Sequence, residues 1–157
     1  MAEEKIDDIL KEYEEGAKTA LVCEENPETQ KTVVSALKEL KYFVEPAAGA
    51  EDAFEKLRFN RYDVVVINEK YGGDPANNEV LKYLQYLPMS NRRHVFVGLL
   101  GQAFATNDNM KAYDLSVNAV INEKDLPNLR PILKKSIADN DQFYKVYKES
   151  LVKFGKA

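Results

Sequence analysis

The chain holds one cysteine and one histidine in 157 residues. A lone cysteine, Cys23, leaves no internal disulfide and no multi-cysteine zinc site. A lone histidine, His94, leaves no metal-binding histidine pair and makes a hydrolase triad hard to build, and no nucleophile elbow accompanies it. Positive charge is not in surplus: the formal net charge of -4 gives no electrostatic reason to expect nucleic acid or an anionic membrane as partner. No apolar stretch approaches bilayer-spanning length, and the opening MAEEKIDD is too acidic and polar for a signal peptide. Gly72-Gly73 lacks the further glycines of a phosphate-binding or dinucleotide fingerprint and reads as turn chemistry. These absences point to a cytoplasmic, non-enzymatic protein. Met1-Ala2 followed by an amphipathic lead-in suits a whole small protein and a domain of a longer one equally.

What is present is a regular alternation. Residues 5–15 carry Ile6, Ile9, Leu10 and Tyr13 at helical spacing, and Gly16 ends that run. Residues 19–23 form a short apolar run suited to a buried strand. Asn26-Pro27 is a helix start, a side-chain cap followed by a residue that needs no backbone donor in the first turn. Behind it, Val33, Leu37 and Leu40 share a face. Tyr42, Phe43 and Val44 predict a second strand, and Ala53, Phe54 and Leu57 a second helix. Val64-Val65-Val66-Ile67 is β-branched throughout, which predicts a central strand buried on both faces. Val80, Leu81, Leu84 and Leu87 mark a third helix. Residues 95–100 predict a fourth strand, Met110 and Tyr113 the apolar face of a fourth helix, and residues 119–121 a fifth strand. Asp125 or Asn128 is the expected cap of a fifth helix, whose first turn accommodates Pro127 and Pro131.

Five strands, each followed by a helix, predict an α/β fold: a three-layer, doubly wound, five-stranded parallel sheet with extra N- and C-terminal helices. The expected organisation is an amphipathic helix or linker over 1–17, the sheet domain over 18–138 and an aromatic-rich helix over 139–157. In such a sheet function sits at the carboxyl ends of the strands. Those ends offer Glu24 and Glu25, Asn68, Leu100 and Gly101, then Asn122, Glu123 and Lys124.

This constellation resembles the receiver domains of two-component response regulators, with their flavodoxin-like topology, over roughly residues 18–137. The resemblance implies an acidic pair after the first strand, where Glu24-Glu25 stands, and a phosphoacceptor aspartate after the third, where Asn68 stands. It implies a hydroxyl residue after the fourth, where Leu100 stands. It also implies an aromatic within the fifth strand, where Val120 or Ile121 stands, and a Lys-Pro after it, where Glu123 and Lys124 compete for the lysine position. A carboxylate can attack a phosphoryl donor; a carboxamide cannot, because its lone pair is delocalised and it carries no charge. Magnesium binding is therefore expected to be weak or absent, with Glu24 and Glu25 as the remaining ligands. The pattern is that of a pseudo-receiver in bacterial signal transduction, working by protein–protein contact without phosphorylation. In this family contact typically uses helix four, strand five and helix five, here residues 107–137.

Several readings stay open. Glu69 or Asp74 is a candidate displaced acceptor, which would make the chain a conventional phosphorelay receiver. The strand-end cleft is also a candidate site for a small ligand. Glu24-Glu25 is read equally as solvated acid, and Asn68 as a turn amide satisfying local backbone. Cys23 reads as a small core residue whose thiol nearby carboxylates make less acidic; Arg92, Arg93 and His94 read as a solvated loop. The tail carries Phe143, Tyr147, Leu151 and Phe154 on one helical stripe, widened by Tyr144, with Gly155 as a stop. Such a face is expected to be covered, by its own domain (Ile6, Ile9, Leu10 and Tyr13 being the proposed counter-face), by a protein partner, or by a second copy in a homodimer.

Overall fold

A computed structural model describes residues 18–73 and 75–155 of the chain. The expected helix over 5–15 and the candidate acceptor Asp74 lie outside the described residues. Five strands, β1 (Thr19–Cys23), β2 (Phe43–Pro46), β3 (Val64–Asn68), β4 (Phe96–Gly101) and β5 (Ala119–Asn122), form one parallel sheet in the order β2-β1-β3-β4-β5. Each lies within two residues of the run that predicts it. The helices are α1 (Pro27–Glu39), α2 (Ala50–Phe59), α3 (Glu79–Gln85), α4 (Asn109–Asp114) and α5 (Leu129–Lys153), with a one-turn helix at Met89–Arg92. No described helix is long and apolar enough to cross a membrane.

Strand alternation sorts the core into two layers. Leu21, Cys23, Val65, Ile67, Val97, Leu99 and Val120 point to the side covered by Ala53 of α2, Val80, Leu81 and Leu84 of α3 and Ala112 of α4. Ala20, Val22, Val64, Val66, Leu100 and Ile121 point to the side covered by Val33 and Leu37 of α1 and Leu129, Leu133 and Ile137 of α5. With both faces of β3 buried, polar side chains are pushed to its ends, and Asn68 is the first of them.

Asn26 caps α1 as its sequence predicts: its side-chain oxygen accepts from the amides of Glu28 and Thr29 at 3.0 and 3.3 Å. Three expectations are corrected. The outward residues of α4 are Met110 and Tyr113, 76% and 83% exposed, because the inward position of this six-residue helix is taken by Ala112. The turn before α5 is a 3-10 segment, Glu123–Asn128, capped by Asn122; of the two expected caps of α5, Asn128 and not Asp125 holds the N-cap position, and its side chain makes no capping hydrogen bond. Finally, α5 runs 25 residues without a break, so the boundary expected at 138/139 falls inside a continuous helix; no proline or glycine interrupts it there.

Candidate functional site

The strand register places the site. Cys23 pairs with Ile67, Asn68 with Leu100, and Gly101 with Asn122, so Glu24, Asn68, Gln102 and Glu123 all emerge at one edge of the sheet. They line a cleft of about 190 Å³ together with Glu25, Lys70 and Tyr71.

Asn68 is 6% exposed and sits at its centre. Its side-chain nitrogen donates to Glu24 Oε2 at 2.7 Å and to Glu123 Oε1 at 2.7 Å. Its oxygen accepts from the Lys70 amide at 2.9 Å. Both amide hydrogens thus face carboxylates, and the carbonyl faces a backbone donor. This arrangement fixes the orientation of the amide and suits no acid in its place. Glu24, also 6% exposed, uses its second oxygen to accept from the Asn26 amide at 3.0 Å. Glu123 accepts from Gln102 Nε2 at 2.8 Å through its other oxygen. The buried Glu24 and the half-buried Glu123 are therefore each hydrogen-bonded on both oxygens, the condition under which a charge is tolerated out of water.

Glu25 points the other way, accepting from the Gly72 amide at 2.8 Å. This tethers the loop after β1 to the Gly72-Gly73 turn, where backbone φ values of 88° and 108° favour glycine. Of the two candidates for the lysine position, Glu123 is the one that reaches Asn68. Lys124 is exposed, and its amide donates to Asn122 Oδ1 at 3.0 Å in the turn cap.

Leu100 does not line the cleft. It is fully buried beneath it, packed in the α1/α5 core layer, because β4 continues two residues on the same side before it reaches the rim at Gln102. Glu69 lies across the end of β4: a Cβ on Gly101 would come within 2.4 Å of its carboxyl carbon. One of its oxygens accepts from the Gln102 amide at 3.2 Å.

Two residues that the sequence did not single out complete the site. Asn78 is 2% exposed; it caps α3 by accepting from the Leu81 amide at 3.1 Å and donates to the carbonyls of Asn68 and Glu69 at 3.0 and 3.1 Å. It locks the end of β3, and its sole sequence signal is a helix-start asparagine before Glu79. Thr106 accepts from the Asn122 amide at 2.8 Å and donates to Asp125, joining the loop after β4 to the end of β5. Tyr71 puts its ring against the cleft, and burial holds its hydroxyl above the ordinary tyrosine range; that hydroxyl has no hydrogen-bond partner among the described residues.

The chemistry on offer is narrow. Cys23 precedes the acidic pair on β1, but burial, with the Asp52 charge adding to it, pushes its thiol up to about 12 and keeps it protonated. Among the described residues no three His, Cys, Asp or Glu side chains are arranged to hold a metal ion. His94 lies away from the strand ends. It lines a cavity of about 530 Å³ with Arg58, Tyr62 and Leu87.

No protein-family model matches the chain, and no curated protein matches it. Solved structures do. A response regulator from Thermotoga maritima superposes with a TM-score of 0.59 at 22% identity, over 78% of this chain and 98% of that one. A CheY-like receiver domain protein from Methanospirillum hungatei JF-1 gives 0.60 at 14% identity, over 80% and 98%. An orphan response regulator of H. pylori gives 0.58 at 12%, over 78% and 98%. With the strand order and the edge at which its polar residues gather, these likenesses show that the chain has the receiver fold of response regulators.

Proposed function

We propose that this chain is a pseudo-receiver: a receiver-like domain of a signalling system that works through protein–protein contact and without phosphorylation. The observation that carries this reading is the bonding of Asn68. The phosphoacceptor position holds a neutral amide, and both its hydrogens are committed to Glu24 and Glu123. In place of an acid facing a lysine, the site pairs an amide with a glutamate. No nucleophile is presented there, and the cleft is held together by hydrogen bonds that need neither magnesium nor a phosphoryl group.

The contact surface we assign spans residues 107–137, which contains α4, β5 and the start of α5. Met110 and Tyr113 stand exposed on it, and aromatic and methionine side chains are favoured where proteins meet. Incubation with acetyl phosphate and magnesium, read by intact-mass spectrometry, tests the proposal. An unchanged mass is expected. Gain of one phosphoryl group, on Glu69 or any other acid, would overturn it in favour of a conventional phosphorelay receiver with a displaced acceptor.

A further inference from the structure

The opposite edge of the sheet, where β3 and β4 begin, carries a cavity that the chemistry around Asn68 does not use. It measures about 530 Å³ and lies between the end of α2, the end of α3 and the one-turn helix at Met89–Arg92. That size falls within the roughly 300–1,000 Å³ typical of small-molecule sites.

Its lining is divided by chemistry. Buried Tyr62 and Leu84, with half-buried Tyr83 and Leu87, make a largely apolar floor. The rim is polar: exposed Arg58, Asn60 and Arg61 come from one side, Ser90 and Asn91 from the other. Between the two arginines in the chain stands Phe59, 73% exposed and also in the lining, which leaves a flat apolar ring at the mouth. No acid lines the cavity, and among the described residues neither guanidinium is held in an ion pair. In a chain of net charge -4 this is a local reversal of sign.

The walls are braced from behind. Tyr62 donates to Glu45 at 2.6 Å, and the Tyr83 ring meets Phe54 edge-on with 5.8 Å between centroids. On the far side Arg92 donates to the carbonyls of Val95 and Ser116 and to Asn118 Oδ1, at 2.6, 3.0 and 2.8 Å. These bonds pin the segment that brings His94 and Val95 into the lining. Walls already in place spare a ligand the cost of ordering them.

We propose that this cavity binds a small amphipathic anion: a planar apolar body seated on the Tyr62–Leu87 floor and against Phe59, with its carboxylate, sulfonate or phosphate group held by Arg58 and Arg61. Guanidinium donors match such oxygens in pairs, and the complex gives both arginines an anionic partner. The site lies at the other edge of the sheet from Asn68 and is independent of the pseudo-receiver reading.

Titration of the full chain with anilinonaphthalene sulfonate, read by fluorescence and by amide NMR shifts, tests the proposal. Saturable binding of one dye per chain is expected, with the largest shifts at residues 57–62 and 83–95. Arg58→Ala/Arg61→Ala, both at exposed positions, should weaken binding on the order of tenfold with the melting temperature unchanged. Anilinonaphthalene, the same ring system without the sulfonate, should bind the parent protein more weakly by a similar factor. Ser90→Trp, which sets a bulky ring on the rim, should also weaken the dye. Absence of saturable binding, shifts centred on α4 or on the distal half of α5, or equal affinity for the charged and the uncharged dye would overturn the assignment. So would full affinity in the double arginine variant.

Discussion

Replacing Asn68 by aspartate restores the acid expected of a receiver, and should damage the protein rather than activate it. The change removes two donors, each 2.7 Å from a carboxylate oxygen, and puts a third negative charge between Glu24 and Glu123. Breaking one partner out of a buried charged arrangement costs about 3–5 kcal/mol. For a chain of 157 residues that lowers the melting temperature by about 10 °C. Asn68→Ala loses the donors but adds no charge, so it should cost about 2 kcal/mol. At pH 7 in chelator the order of stability should be parent, then alanine, then aspartate. The aspartate variant should recover as pH falls and the alanine variant should not. Its carboxyl, raised in the folded state by two like charges, takes up a proton more readily folded than unfolded, so acid favours folding and returns one donor. Calorimetry or urea titration across pH 5 to 8 decides. An aspartate variant at least as stable as the alanine variant at pH 7 would refute the idea that the amide hydrogens hold the two carboxylates together.

Other expectations are simpler. Asn78→Ala removes a helix cap and the donor to two carbonyls at the end of β3, and should cost about 2–3 kcal/mol in urea unfolding. Gly101→Ala drives a methyl group into the Glu69 carboxyl and should cost about 1–3 kcal/mol, most of which Glu69→Ala in the same chain restores in a double-mutant cycle. Cys23 and Tyr42, both raised to about 12 chiefly by burial, hold their protons more tightly in the folded state than their ordinary 9.0 and 10.0 imply. Their contribution to stability is complete below pH 9 and is lost between pH 9 and 12, which urea midpoints across that range will report.

The sheet was legible because burial on both faces forces continuous β-branched and apolar runs, as in β3, and because Asn26-Pro27 announces a helix by a local mechanism. Residues whose role depends on distant partners were not. Leu100 and Gln102 share a side of β4, and only the register shows which of them reaches the rim. Glu123 and Lys124 were indistinguishable until the Asn122 cap fixed the turn. Asn78 acts on carbonyls nine and ten residues away and leaves no periodic trace. Met110 and Tyr113 imitated an inward stripe on a helix too short for periodicity to be informative, and the boundary expected at 138/139 falls within an unbroken helix.

The length of α5 has a mechanical consequence. A helix of 25 residues is about 37 Å long, so a tilt of about 10° at the Glu123–Asn128 turn would carry its tip through about 6.5 Å. Glu123 belongs to that turn and is bonded to Asn68. The base of the longest described helix is thus tied by one hydrogen bond to the residue at the centre of the cleft.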